Sequence, residues 1–198
     1  MARTVGSNGA KTAAAIRRAG IKRIYKHGYE AMRLRDLADD VGIQAGSLYN
    51  YIRQKDEFLF DIMFDIMSEL HSGLEAELSG AAGPVDALTR FIHFHVVWHT
   101  ARKEEVFIGN MELRSLAPAR RKKVVDLRDQ YEAKLRRILE DGNAAGAWAV
   151  ADPQLTVFAT IAALTGVCTW YSPRGRMTQA DIVDFYTDYV FSAIGASR

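Results

Sequence analysis

Between Gln44 and Lys55 the chain sets out side chains suited to reading a double helix: Gln44, Ala45, Gly46, Ser47, Tyr49, Asn50 and Lys55. A carboxamide offers a donor and an acceptor side by side, the arrangement that matches a base edge, so Gln44 and Asn50 are candidates for base contact. Ser47, Tyr49 and Lys55 are of the type that reaches phosphate oxygens, while Ala45 and Gly46 are short. Material for catalysis is thinner. His93, His95 and His99 lie near Glu104, Glu105 and Glu112, and His95 and His99, four residues apart, share a helix face as metal ligands do. No Glu-x-x-His pair of the di-iron bundle type occurs. The expectation is therefore no enzyme, no catalytic residue, no resident metal and no cofactor. A metal-binding helical bundle is the alternative of another class, and an adaptor using its helices for protein partners is a third.

Charge supports the polyanion reading. Residues 1–55 hold eleven Lys and Arg against four Asp and Glu, and the remainder fifteen against twenty, so a surplus of +7 faces a deficit of −5. Each phosphate neutralised by such a segment releases condensed counterions. Cys168 is the only cysteine, which rules out an internal disulfide or a cysteine metal cluster and suits a reducing, cytoplasmic setting. Met1 to Ala10 has no apolar core, and no segment is expected to approach the ~20 unbroken apolar residues of a membrane span.

The elements that must position these residues read as helices. Ile16, Ala19, Ile21, Ile24 and Tyr25 recur at three- to four-residue intervals over residues 10–26, and Gly28 supplies a stop. Short helices are expected at 34–41 and 45–51, separated by a turn at Gly42. A long one starts at Lys55 and carries Phe58, Leu59, Ile62, Met63, Ile66 and Leu70 toward Leu78. After the turn-rich Ser79 to Pro84, helical patterns fall at 85–101, 104–116, 118–141, 153–171 and 178–194. The fold class is all-α with about nine helices: a three-helix helix-turn-helix domain over 1–56 and a helical-bundle domain over 57–198. In the helix-turn-helix, small Ala38 lets two helices cross, Gly42 permits the turn, and Ile43 and Leu48 fill the space between.

Gly28-Tyr29, Arg35-Asp36-Leu37-Ala38, Gly42-Ile43, Gly46-Ser47-Leu48-Tyr49, Tyr51 and Lys55 through Phe58 fall in register with the DNA-binding segment of the TetR family, which residues 10–60 resemble. The resemblance implies that the third helix reads DNA, with Tyr49 and Lys55 on the backbone of a double-stranded operator. Three positions depart from the pattern: Met32-Arg33 stands where a Thr-Ser-like cap is usual, Ile52 replaces Phe, and Gln54 replaces a Ser-like cap.

Further on, Phe91, Phe94, Val97, Trp98, Phe107, Met111, Leu113, Leu116, Phe158, Leu164 and Trp170 could wall an apolar cavity, with Asn110 and Glu112 as orienting polar groups. Close helix packing explains the same aromatics one by one. The segments "FIGNMELRSLAP", "RDQYE" and "WYSPRGRMTQADIVDFY" resemble a branch of the same family that responds to acyl-coenzyme A esters. That resemblance implies a long pocket for an acyl or sterol-derived chain and a small hydrophobic effector such as an acyl-CoA ester; with the cavity residues above, the candidate ligand set is Phe94, Trp98, Phe107, Asn110, Met111, Arg114 and Trp170. It also implies coenzyme A phosphates received from among Arg102, Lys103, Arg114, Arg120, Arg121, Lys122, Lys123 and Arg128. Small Ala159, Ala162, Ala163 and Gly166, with Ile182, Phe185, Tyr189 and Ile194 along one side of the last helix, point to a two-fold homodimer. An effector that prefers one spacing of the two DNA heads would then shift the population of that spacing, with the fourth helix as the lever. A sensor of aromatic or drug-like compounds is the alternative within this class.

Overall fold

The computed structural model describes residues 7–196. Among them no strand forms, and ten helices follow in order: α1 (Ser7–His27), α2 (Leu34–Val41), α3 (Ala45–Leu48), α4 (Lys55–Leu78), α5 (Pro84–Ala101), α6 (Lys103–Met111), α7 (Pro118–Ala144), α8 (Pro153–Thr165), α9 (Val167–Trp170) and α10 (Gln179–Ala193). Only Gly166 parts α8 from α9, which leaves nine separate rods and matches the all-α expectation. The expected lack of an apolar leader in Met1 to Ala10 lies largely outside the described residues.

Local chemistry sets the helix ends. Pro84 and Pro153 each open a helix, where a missing N–H is no loss. Asp152 accepts from the Leu155 N–H at 3.0 Å, and Thr178 and Asp181 cap α10 reciprocally. Gly42 closes α2 in the left-handed conformation, φ 72° and ψ 34°. Arg33 offers α2 no side-chain cap, the consequence of its replacing a Ser- or Thr-like residue.

Two expected helices are shorter. The third stops at Leu48, because the Asn50 and Tyr51 N–H groups turn to the carbonyls three residues back. The expected 104–116 helix ends at Met111, and a 3-10 turn covers Leu113–Ser115. There the Glu112 carboxylate accepts from the Ser115 hydroxyl at 2.9 Å and from the distant Tyr29 N–H at 3.0 Å, which holds the chain off the helical path.

Contact density divides the chain otherwise than at residue 56. The head unit comprises Met1–Ile66 together with Glu104–Val124, and the sensing unit Met67–Lys103 with Val125–Arg198. In the head unit Ile24, Leu37, Ala38, Leu48 and Leu59 are buried, each large aliphatic contributing roughly 1.5–3 kcal/mol. In the sensing unit α5 packs against α8, α9 and α10 around Leu88, Phe91, Ile92 and Val96.

One 18-residue stretch, Pro153–Trp170, is long and apolar enough by length and composition to cross a membrane, although Gln154 and four threonines interrupt it, so it is not the unbroken apolar run that was expected to be absent. Only 28% of it is buried: Val157, Leu164 and Val167 turn into the core, and other apolar side chains are left facing outward. Leu155 is 64% exposed and Phe158 and Trp170 about half exposed, and on α10 Phe185 and Tyr189 are as open. Ile182 and Ile194, the latter just past the end of α10, turn inward instead, so the four residues grouped on one side by spacing are divided between core and surface.

Candidate functional site

The head unit is built to present α3. Asp36 and Asp40 on α2 clasp Arg23 of α1, with Arg23 Nη2 2.9 Å from one Asp40 oxygen, and that hydrogen bond holds the Asp40 carboxyl below its usual range. The pairing fixes α2 across α1, the αL turn at Gly42 reverses the chain, and Leu48 anchors α3 from below. What remains outward are Gln44, Ala45, Gly46, Tyr49 and Asn50, with Ser47 half-buried and Tyr49 59% exposed. The amides of Gln44 and Asn50 make no hydrogen bond with any other described residue. They keep their full donor and acceptor capacity for an outside partner.

Lys55 is placed differently from the six residues before it. Its ammonium donates to the Glu30 carbonyl at 3.0 Å and sits 4.3 Å from the centre of the Tyr29 ring. It stabilises the loop after α1 while retaining two further donors. Tyr29 is itself buried, and desolvation pushes its hydroxyl pKa up to about 12.

The segment 104–124 belongs to this head through contacts that spacing could not reveal. Arg17 of α1 reaches Glu105 at 3.1 Å and Asp65 of α4 at 3.7 Å. Asp56, at the start of α4, pairs with Arg120 and accepts from the Ala117 N–H at 3.1 Å. Burial raises that carboxyl, but these bonds overcome it and hold it below its ordinary value. Glu112, expected to orient a ligand, is spent on Tyr29 and Ser115.

The seven ligand candidates fall in two groups. Phe107, Asn110, Met111 and Arg114 lie in the head unit: Phe107 packs edge-on to Tyr25 at 5.1 Å, and the other three are exposed, Arg114 beside an open cleft of about 510 Å3 lined also by His27, Tyr29 and Glu112. Phe94, Trp98 and Trp170 lie in the sensing unit. The Phe94 ring rests on Gly73, where a larger residue would have no room. Trp98 is buried beneath the guanidinium of Arg102, which also pairs with Glu69. Trp170 borders a cavity of about 220 Å3 with Tyr171, Arg176, Met177 and Ile182. Of the basic candidates, Arg120 is engaged by Asp56, and Arg121, Lys122 and Lys123 lie on the surface of α7.

The histidines do not make a metal centre. His95 and His99 stack with ring centres 3.7 Å apart, and both nitrogens of His95 already face hydroxyls, Tyr131 at 3.0 Å and Thr165 at 3.1 Å. Among the described residues no group of three His, Cys, Asp or Glu is placed to hold an ion.

A helix-turn-helix head joined to a helical unit with an uncovered apolar face is the architecture of a DNA-binding regulator. Residues 16–62 match the model of the TetR family of bacterial regulatory proteins, and residues 81–194 match a tetracyclin repressor-like C-terminal domain. The chain belongs to the TetR family of transcriptional regulators. It is 27% identical over 175 residues to the HTH-type transcriptional repressor KstR2 of Mycolicibacterium smegmatis, covering 86% of this chain and 84% of that protein. Among solved structures, a TetR-family regulatory protein from Rhodococcus RHA1 superposes with a TM-score of 0.89 at 24% identity, covering 95% of this chain and 99% of that one. AibR, solved with isovaleryl coenzyme A and operator DNA, gives 0.84 at 22% identity over 94% of this chain and 100% of its own.

Proposed function

We propose that this chain is a homodimeric repressor that binds a palindromic operator through α3 and releases it when a small hydrophobic effector, an acyl-CoA ester, occupies the sensing unit. The observation that carries the DNA reading is α3 with its flanks, where Gln44, Tyr49 and Asn50 stand exposed and their side chains unbonded around a buried Leu48 anchor. One short helix contacts too few base pairs for specificity, so two heads reading half-sites about 34 Å apart are required. The open faces of α8 and α10, with Leu155, Phe158, Phe185 and Tyr189 outward beside small Ala159 and Ala162, support two-fold pairing of those helices. A patch of that kind on a polar surface marks an interaction site.

The effector class rests on likeness. A relative is named a repressor, and a structural neighbour holds isovaleryl coenzyme A together with operator DNA. For the response, the ties from Arg17, Asp56 and Tyr29 to the 104–124 segment supply a route: a shift of that segment pulls on α1 and on the start of α4 together. An effector favouring one position of the segment shifts the heads toward the matching spacing. The test is selection of operator duplexes from random DNA by the purified protein, followed by fluorescence-anisotropy release with isovaleryl-CoA, dodecanoyl-CoA and free dodecanoate. Sequence-specific binding reversed by a CoA ester supports the proposal. A protein that selects no sequence overturns it, and release by none of the three removes the effector class.

A further inference from the structure

His95 and His99 sit one turn apart on α5, yet their hydrogen bonding differs in a way that points outward from the pair. His95 is saturated, held between the hydroxyls of Tyr131 and Thr165. His99 places Nδ1 2.7 Å from the backbone carbonyl of His95. A carbonyl oxygen only accepts, so Nδ1 carries the proton and donates. Desolvation keeps the ring neutral, with its pKa held down to about 4, and Nε2 is therefore a bare lone pair.

No described residue donates to that lone pair. The ring is only 6% exposed, but Nε2 is not sealed in: among the described residues the single enclosed side-chain nitrogen or oxygen lacking a partner is Arg17 Nη2. Nε2 thus keeps a little accessible surface although its residue is more than nine-tenths buried. Beyond the two hydroxyls that hold His95 the pair is flanked by aromatic rings, with Trp98 5.3 Å from His99 and Phe91 5.9 Å from His95. A buried acceptor in such surroundings discriminates sharply, since any occupant without a donor leaves it unpaired.

We propose that His99 is the polar anchor of the effector site, its Nε2 accepting a hydrogen bond from a hydroxyl or amide N–H of an otherwise apolar effector. This rests on the reading that the sensing unit binds such a molecule. The site selects by chemistry: a carboxylate, ketone or thioester oxygen would meet lone pair with lone pair, whereas an alcohol, phenol or secondary amide satisfies it. Plain hydrocarbon fits the walls and forfeits the bond.

Phenol and toluene provide the direct test, because they share shape and differ in the one donor. Full-length protein labelled with nitrogen-15 is titrated with each while the His99 imidazole resonances are followed. Phenol is expected to move the Nε2 resonance and to bind on the order of tenfold more tightly than toluene. In His99→Phe, shown to be folded by circular dichroism, that preference is expected to vanish with toluene binding retained. Equal binding of the two, a Nε2 resonance that phenol leaves in place, or binding by neither overturns the assignment. A second arm compares operator release by dodecanoyl-CoA and 3-hydroxydodecanoyl-CoA. Equal release by both upholds the acyl-CoA reading and overturns the anchor. Release by neither, with phenol still preferred at His99, upholds the anchor and removes acyl-CoA as effector.

Discussion

Arg23 in the head unit meets Asp36 and Asp40 at the surface, whereas His95 in the sensing unit meets Tyr131 and Thr165 with almost no exposure. The head uses full charges in water to set the angles of short helices, where each pair contributes little energy but much geometry. The sensing unit encloses neutral polar groups, each costly if left unmatched. Reading DNA requires a surface that tolerates solvent and competing ions, so its determinants stay outside. The proposed recognition of a small apolar molecule would use a dry interior of that kind, in which a single hydrogen bond decides.

Breaking the sensing unit's outer face should have the largest effect. Leu155→Asp with Phe185→Asp is expected to give monomers by light scattering and to weaken operator binding on the order of a thousandfold, toward the nonspecific level. A monomer that still binds the operator tightly would show that α8 and α10 do not pair. Acid comes next. His99 titrates near 6.5 when unfolded and near 4 when native, so the unfolded chain takes up the proton first as pH falls. The stability contributed by the neutral ring is complete above about pH 6.5 and lost by about pH 4, roughly 3 kcal/mol, and burial of His95 acts in the same direction. Urea unfolding at several pH values reads this, and His99→Phe should lose less on acidification than the parent.

Smaller effects sharpen the contrast from the head. Asn50→Ala is expected to cost about 1–3 kcal/mol of operator affinity and to relax preference at one base position, leaving stability untouched. A uniform loss across sequences would make Asn50 a backbone contact. Arg120→Ala should lower stability by less than about 1 kcal/mol, because both partners of its pair with Asp56 remain partly exposed. If the 104–124 segment couples effector to head, the same variant should shift the effector concentration needed for release far more than it shifts the melting temperature.

Local signals were legible in the sequence, and long-range ones were not. Gly42 announced its turn, and Ala38 with Leu48 the crossing of α2 and α3, because each depends on neighbours within a few residues. The bond from Tyr29 to Glu112 spans 83 residues and that from Asp56 to Arg120 spans 64, and no periodicity encodes either. Complementary charge was a signal for the second, without any means of choosing Arg120 from the basic run that follows it. Lys55 was read as a phosphate contact because its type allows it, and the Glu30 carbonyl that holds it belongs to a loop whose path depends on α1 and α2 together. His95 and His99 drew notice as a spaced pair, but their state is set by a backbone carbonyl and by Tyr131 and Thr165 on other helices.

The discontinuous head bears on how such a protein can change its target over time. A cut after residue 56 or 66, followed by fusion to a foreign sensing unit, would part Tyr29 from Glu112, Arg17 from Glu105 and Asp56 from Arg120 in one event. A recombinant inherits a working head only if two distant stretches of gene travel together. Substitution at Gln44 or Asn50, on either side of α3, carries no such debt, since neither side chain bonds to another described residue. If these residues read the operator, retargeting runs through single-codon changes at and beside one short helix.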